Sequence, residues 1–165
     1  MPANAAIATP LDTPRLRIRP MSSADAPALY ETLSDPAVMA FVEPPFTAAQ
    51  TRAFVREAGL CAPPMVYAVE ERGGRVVGHA IFHPFEGERW EVGWVLRRDC
   101  WGRGYAREIT AALIECARRA GIPALVIECV PENRAARRVA EACGFKYAGI
   151  TDGLAQYRLT LEEYP

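Results

Sequence analysis

Two periods of apolar positions alternate along the chain, and each specifies an element. A period of two recurs in short runs. Arg15–Arg19 (RLRIR) puts Leu16 and Ile18 on one face of a strand. Met65–Glu70 and Val76–Phe82 read as a hairpin across the turn Arg72-Gly73-Gly74, and Arg89–Leu96 as a further strand. Ala124–Val130, Phe145–Gly149 and Gln156–Leu161 are the remaining strands. A helical period runs from Gly104 to Ala120, with Tyr105, Ile109, Ala112, Leu113, Cys116 and Ala120 apolar. Arg118 and Arg119 suit the dipole of its last turn, and Gly121 and Pro123 stop it. Asn133–Cys143 is a second helix, closed by Gly144. Three shorter helices are predicted earlier: from Ser22–Ser23 to Leu33, Asp35–Val42, and Thr47 to Gly59, separated by Pro44–Pro45 and followed by Pro63–Pro64.

The order is a strand, helices, an antiparallel run of strands, then β-α-β-α-β-β. That is an α+β fold, a sheet layered with helices. The 165 residues suit one domain, with residues 1–12 (MPANAAIATPLD) as a loose N-terminal arm and 13–165 as the domain. The formal net charge is −1 and neither sign forms a run, so the chain carries no electrostatic footprint for nucleic acid or an anionic membrane. No apolar stretch approaches the length of a spanning helix, and the arm does not read as a secretory signal. Cys61, Cys100, Cys116, Cys129 and Cys143 are odd in number and scattered, which fits reduced thiols in a cytoplasmic protein. His79 and His83 lie four apart on a strand, but without further convergent ligands no metal site is assigned. Trp90, Trp94 and Trp101 are read as packing residues and not as a base-stacking platform.

Candidate chemistry concentrates in WVLRRDCWGRGYARE, Trp94 to Glu108, where a strand ends, a loop follows and a helix opens on glycines. Gly102 and Gly104 let backbone approach a ligand closely, and the free N–H groups of the first helical turn suit a phosphate. A plain tight turn is the alternative. The segment is neither a P-loop nor a three-glycine dinucleotide fingerprint.

WGRGYA, Trp101 to Ala106, resembles motif A of the GNAT superfamily of N-acetyltransferases, with Trp at the first position where Gln or Arg is usual. TPRLRIRP (Thr13–Pro20), LSDPAVMAFV (Leu33–Val42) and PENRAARRVAEACGF (Pro131–Phe145) resemble segments of its ribosomal-protein N-terminal acetyltransferase branch. The match runs from about Thr13 to Tyr164. It implies a mixed, mostly antiparallel sheet flanked by helices, with a splayed strand pair holding acetyl-CoA as cosubstrate.

The resemblance also assigns roles. Trp94, Val95 and Leu96 match the strand end that pairs with the pantetheine arm, and an amide near Val95 the donor that polarises the thioester. Trp101, Gly102, Arg103, Gly104, Tyr105, Ala106 and Arg107 match the pyrophosphate cradle; Arg103 and Arg107 are extra phosphate partners or a solvated helix start. Asn133 matches a residue that bonds the arm, with a helix N-cap as the alternative. Arg137 shares its helix face and reaches toward the cofactor. Relatives carry a Ser or Tyr acid where this chain has Ala136 and Ala140. Tyr147 or a water is the substitute, and the loss of a general acid slows a reaction by about 10²–10⁴-fold without abolishing it. Glu91 is the base candidate and Glu128 the second, each with a salt bridge as its alternative.

The implied partner is an amine, either a peptide N-terminus or a small molecule, and a homodimer is open. Phe41, Val42 and Glu43, with the hairpin near Phe82 and Phe85, are expected to shape its site; Glu86 and Glu88 are further candidates for attracting a cationic amine. Two other readings stand beside the enzyme: a catalytically weak acyl-CoA sensor or interaction module, favoured by the missing acid, and a nucleotide-binding regulator, disfavoured by the phosphate loop.

Overall fold

The computed structural model of the chain describes residue 7 and residues 10–161. Eight strands form one sheet: β1 (Leu11–Asp12), β2 (Leu16–Arg19), β3 (Val66–Glu71), β4 (Val76–Pro84), β5 (Arg89–Leu96), β6 (Ala124–Cys129), β7 (Lys146–Thr151) and β8 (Leu154–Thr160). Their spatial order is β1-β2-β3-β4-β5-β6-β8-β7. Every neighbouring pair is antiparallel except β5 and β6, which run parallel. The crossover between that pair is α4 (Tyr105–Arg119), as a parallel connection requires.

The early helices are shorter than the periodicity predicts. A 3-10 turn at Ser23–Asp25 precedes α1 (Ala26–Leu33), because the Ser22 N–H donates to the Asp25 carboxylate at 2.8 Å and closes that turn first. Asp35 caps α2 (Pro36–Met39), accepting from the Ala37 N–H at 2.9 Å, but the helix stops well before Val42. Thr47 and Gln50 form a capping box for α3 (Ala48–Phe54), and its last turn widens to a π-type turn over Val55–Gly59. Helix α5 (Arg134–Ala142) follows β6.

Both faces of the sheet are packed. On one face Leu16, Ile18, Tyr67, Val69, Phe82, Trp90, Val92, Leu125, Ile127 and Tyr157 meet Ile109 and Leu113 of α4 and Ala140 of α5. On the other, Val66, Ala68 and Val95 meet Leu29 and Leu33 of α1 and Val38 and Met39 of α2. The strand β4 changes phase at Gly78, where the pairing with β3 shifts register, so that His79, Ile81 and His83 face the α1 side while Ala80 and Phe82 face α4.

Of the segment expected as a loose arm, residues 1–6, 8 and 9 lie outside the described residues. Its remainder is tied to the fold. Leu11 and Asp12 pair with Ile18 and Arg17, and Ile7 is buried with its N–H donating to the Tyr67 hydroxyl at 3.1 Å.

Candidate active site

The parallel pair β5 and β6 is joined for three rungs only: Arg89↔Ala124, Trp90↔Leu125 and Glu91↔Val126. Beyond Glu91, β5 stays with β4 as far as Leu96, and β6 stays with β8 as far as Cys129. The two strands therefore part, and their facing backbone edges lack each other as partners. An inserted extended chain supplies such partners in the manner of an added strand. Gly78 explains why β5 keeps to β4. A β-carbon there would sit 2.0 Å from the Val95 carbonyl oxygen, so the two backbones approach more closely than any side chain allows.

The loop after β5 leads to the helix start. The Trp101 indole N–H donates to the Leu96 carbonyl at 3.0 Å, closing the loop on the strand end. Trp at the first motif position thus serves the loop itself, and one lone pair of the Leu96 carbonyl is taken. Gly102 and Gly104 have φ of +75° and +81°, the left-handed conformation that favours glycine, and Gly104 is the N-cap of α4. A β-carbon on Gly102 would meet nothing within 4 Å, so the backbone there is open to an incoming group. The Glu108 N–H is the first of α4 to reach a backbone acceptor, Gly104 at 3.1 Å, so the amides of residues 105–107 precede the helical ladder and carry the positive end of a 15-residue helix. These amides fit a pyrophosphate.

Several carboxylates fix this helix start, none of which the motif indicated. Glu108 accepts from the Thr13 hydroxyl at 2.5 Å, the Arg15 N–H at 2.9 Å and Arg15 Nε at 2.9 Å, joining α4 to the turn between β1 and β2. Burial pushes the Glu108 pKa up, but these donors together hold it below the ordinary value. Tyr105 donates to Glu71 at 2.6 Å, and Arg15 lies over the Tyr105 ring. In the loop, Arg97 pairs with Glu31 and with Asp99 at 3.3 Å, Arg98 with Asp35 at 3.0 Å, and Arg75 with Asp99 at 3.1 Å. The Arg97 hydrogen bond leads the causes that take the Asp99 pKa down to about 2. Opposite charges in Leu33–Val42 and Trp94–Glu108 signal only the Arg98–Asp35 pair; Glu31, Glu71, Arg15 and Arg75 lie outside those segments.

The three arginines expected beside the cofactor differ. Arg107 is exposed and has no ion-pair partner among the described residues. Arg103 lies 3.6 Å from Glu71. Arg137 is spoken for by the fold: its Nε donates to the Tyr157 hydroxyl at 2.8 Å and its Nη1 to the Pro131 carbonyl at 3.0 Å. Asn133 is the N-cap of α5, its Oδ1 accepting from the Ala136 N–H at 3.2 Å, which leaves its amide NH₂ as a donor. Ala136 and Ala140 lie on α5 and present methyl groups only.

The acid and base candidates divide between the faces. Glu91, at the last paired rung before the gap, faces away from α4 and α5, as Gly93 and Val95 do. Its Oε1 is 3.0 Å from His83 Nε2, and His83 Nδ1 donates to the Pro84 carbonyl at 2.8 Å. The bond to Glu91 leads the causes that raise the His83 pKa. His83 was weighed only as a metal ligand; the β4–β5 register makes it the partner of Glu91. Glu128 is on the same face, accepting from Gln156 Nε2 at 3.0 Å. Tyr147 stands apart on β7, with β8 between it and β6, half exposed and stacked 5.5 Å from Tyr157 on the α5 side.

Of the residues expected to shape the acceptor site, Phe41 and Val42 are exposed, but Phe82 is fully buried against Trp90 on the opposite face. The phase change at Gly78 puts it there. His79 is buried against Phe54, and burial takes its pKa down to about 4. Among the described residues no group of three or more His, Cys, Asp or Glu is placed to hold a metal, and no helix is long and apolar enough to cross a membrane. The five cysteines are free thiols.

Known proteins are similar to this chain in sequence and in fold. The family model described as acetyltransferase (GNAT) domain matches residues 15–146. The uncharacterized N-acetyltransferase YnaD of Bacillus subtilis is 32% identical over 146 residues, covering 85% of this chain and 84% of its own. A crystal structure of a GNAT-family acetyltransferase from Bacillus anthracis superposes with a TM-score of 0.86 at 28% identity, covering 94% of this chain and all of that one. RimL, a ribosomal L7/L12 alpha-N-protein acetyltransferase solved with coenzyme A, has the same fold at 21% identity, with a TM-score of 0.79 over 92% of this chain and 98% of its own.

Proposed function

Because the chain belongs to the GNAT acetyltransferase family, whose members take an acetyl group from acetyl-CoA, we propose that it delivers that group to a primary amine by direct attack, the amine being a peptide N-terminus or a small molecule. The observation that carries this reading is the position of Glu91, at the rung where β5 and β6 part and on the face opposite the phosphate-binding helix. When bound, acetyl-CoA supplies a thioester carbonyl for the amine to attack and a thiolate as leaving group.

The chain's own residues then have separate tasks. The amides of 102–107 hold the pyrophosphate, with Arg107 and Arg103 as charge partners; Arg103 leaves Glu71 to do so. The unpaired edge of Trp94–Leu96 aligns the pantetheine arm, and its amides near Val95 polarise the carbonyl. Asn133 donates its NH₂ to the arm. Glu91 removes the proton of the attacking amine, and His83, whose Nδ1–H is committed to Pro84, shares that proton through Nε2. Glu128 is the second carboxylate within the same face. No side chain on α5 donates a proton to the thiolate, and a thiol of reference pKa near 8.5 leaves tolerably without one.

This machinery favours amines of low pKa. Deprotonating a lysine of pKa about 10.4 at pH 7 costs about 4.6 kcal/mol, and an α-amine of pKa about 8 only about 1.4 kcal/mol. RimL, an α-N-protein acetyltransferase by name, lends this preference support by analogy of fold. The test is free-thiol release from acetyl-CoA against a panel of N-terminal peptides, amino acids, polyamines and aminoglycosides. Amine-dependent release that falls about a hundredfold in Glu91→Gln is expected. A lysine side chain turned over faster than any α-amine refutes the preference. Tight coenzyme A binding with no release for any amine favours the second reading, an acyl-CoA sensor, to which the methyl groups of Ala136 and Ala140 point.

A further inference from the structure

The face that carries Glu91 continues downward into an open cleft of about 320 Å³ lined by Glu88, Arg89, Pro123, Ala124, Arg158 and Thr160. Strand register puts its members beside the base. Arg89 is two residues below Glu91 on β5 and shares its face. Arg158 lies across Val126 from Glu91, in the row His83, Glu91, Val126, Arg158, Lys146. Thr160 lies across Ala124 from Arg89.

The electrostatics of this cleft are unbalanced. Neither Arg89 nor Arg158 has a carboxylate within ion-pair distance among the described residues, although Glu88 also lines the cleft. The Arg89 Nη1 is buried without a hydrogen-bond partner, a costly state for a cationic donor. Arg158 gives its Nε to Gln156 Oε1 at 2.7 Å, which orients the guanidinium and leaves its terminal nitrogens available. Lys146 adds a further positive charge at the edge of the row. Most other guanidiniums near the helix start and its loop are matched to carboxylates. A pair of unmatched ones in a single cleft, one with an orphaned buried N–H, is a receptor for an anion with planar oxygens.

We infer that Arg89 and Arg158 bind a carboxylate of the acceptor, and that the acceptor is a short peptide with a free C-terminus, a dipeptide in the simplest case. The inference rests on the acetyltransferase reading of the same face. Its length argument is direct. Two residues of strand separate Arg89 from Glu91, about 7 Å, and a dipeptide spans about the same distance from its amine to its carboxylate. A free α-amino acid, with both groups on one carbon, is too short to touch both. A dipeptide also presents the low-pKa α-amine that a Glu91–His83 pair can deprotonate.

The experiment compares a dipeptide free acid with its C-terminal amide in thiol release by the wild-type chain. The acid is expected to be preferred by about tenfold to a hundredfold in kcat/KM, mostly through KM, the worth of one charge-assisted contact. Arg89→Gln and Arg158→Gln are each expected to shrink that acid-to-amide ratio toward one, and Arg89→Lys to restore part of it. Equal use of acid and amide by the wild-type chain overturns the inference and leaves the acetyltransferase reading intact. So does turnover of other amines with no dipeptide accepted. Absence of release with every amine overturns both.

Discussion

Replacing Glu108 tests whether the first turn of α4 is held from the turn between β1 and β2. Its side chain is 13% exposed and receives three donors. The Arg15 guanidinium is 47% exposed, so its share is that of a surface pair, at most about 1 kcal/mol. The Thr13 hydroxyl and the Arg15 N–H bond to a charged, mostly buried acceptor and are together worth about 1.5–3 kcal/mol. Glu108→Gln keeps the shape and one acceptor oxygen while turning a donor NH₂ toward these donors. It is expected to cost about 2 kcal/mol, and Glu108→Ala about 3 kcal/mol. For a chain of this length that lowers Tm by roughly 4–12 °C. Urea unfolding measures the loss.

The pH dependence has a definite sign. The donors depress the folded-state pKa of Glu108, so its stabilisation is complete above the unfolded value near 4.3. It is lost as pH falls through the lower folded value. The difference between wild type and Glu108→Gln is therefore flat from pH 7 to about 5 and shrinks in more acidic solution. Because the first turn of α4 loses its tie, KM for acetyl-CoA is expected to rise about tenfold with a smaller change in kcat. Unchanged urea midpoint and unchanged KM in Glu108→Gln would refute the idea that this carboxylate positions the helix.

Three further perturbations follow from geometry. Gly78→Ala places a β-carbon 2.0 Å from the Val95 oxygen at a φ of +154°, so a loss of about 3 kcal/mol is expected in chemical unfolding, and no loss would show that β4 and β5 separate freely. Gly104→Ala forces an L side chain to a φ of +81° and should cost about 1–2 kcal/mol while reducing the thermal shift produced by coenzyme A; an unaltered shift would mean that the N-cap conformation is not used in binding. His83 has a raised folded-state pKa, so its pairing with Glu91 stabilises fully below pH 6.5 and fades as pH rises through the folded value. Wild type should therefore lose stability relative to His83→Gln as pH rises above about 6.5, and a pH-independent difference would count against the pair.

Much of the sheet was legible because its strands alternate cleanly. Leu16 and Ile18 bury together, and Glu91, Gly93 and Val95 do share a face. Helix α4 was legible from its apolar period and its glycine and arginine punctuation, and it begins and ends within one residue of the expected bounds. The first of the early helices opens as a 3-10 turn closed on Asp25, and the second gives way after Met39 to a turn in which the Val42 N–H donates to the Met39 carbonyl at 3.0 Å; periodicity registers neither. Phe82 was misplaced for a different reason. One residue of bulge at Gly78 inverts every side chain after it, and the strand pattern is silent on where a bulge falls. Arg137 was read from the sequence as reaching toward the cofactor; its hydrogen bond to Tyr157, twenty residues away on β8, was not legible there.

The site itself divides along the same line. Local sequence exposes backbone chemistry, since glycines at a helix start and a strand end carry their meaning in the chain direction. Side-chain chemistry on the proposed acceptor face depends on register between strands that are distant in sequence. His83 meets Glu91 through β4, Arg158 joins the row through β8, and Arg89 enters the cleft only because β5 and β6 pair at their first rungs before parting. The separation has a functional consequence. In the proposed reading the cofactor side is built from amides at one helix start, which a motif encodes. The proposed acceptor side is built from single side chains on four strands, each replaceable without disturbing the gap. Changes at 102–107 should thus move acetyl-CoA binding alone. Changes at Arg89 and Arg158 should move acceptor choice alone, and Glu91 is the residue at which the two meet.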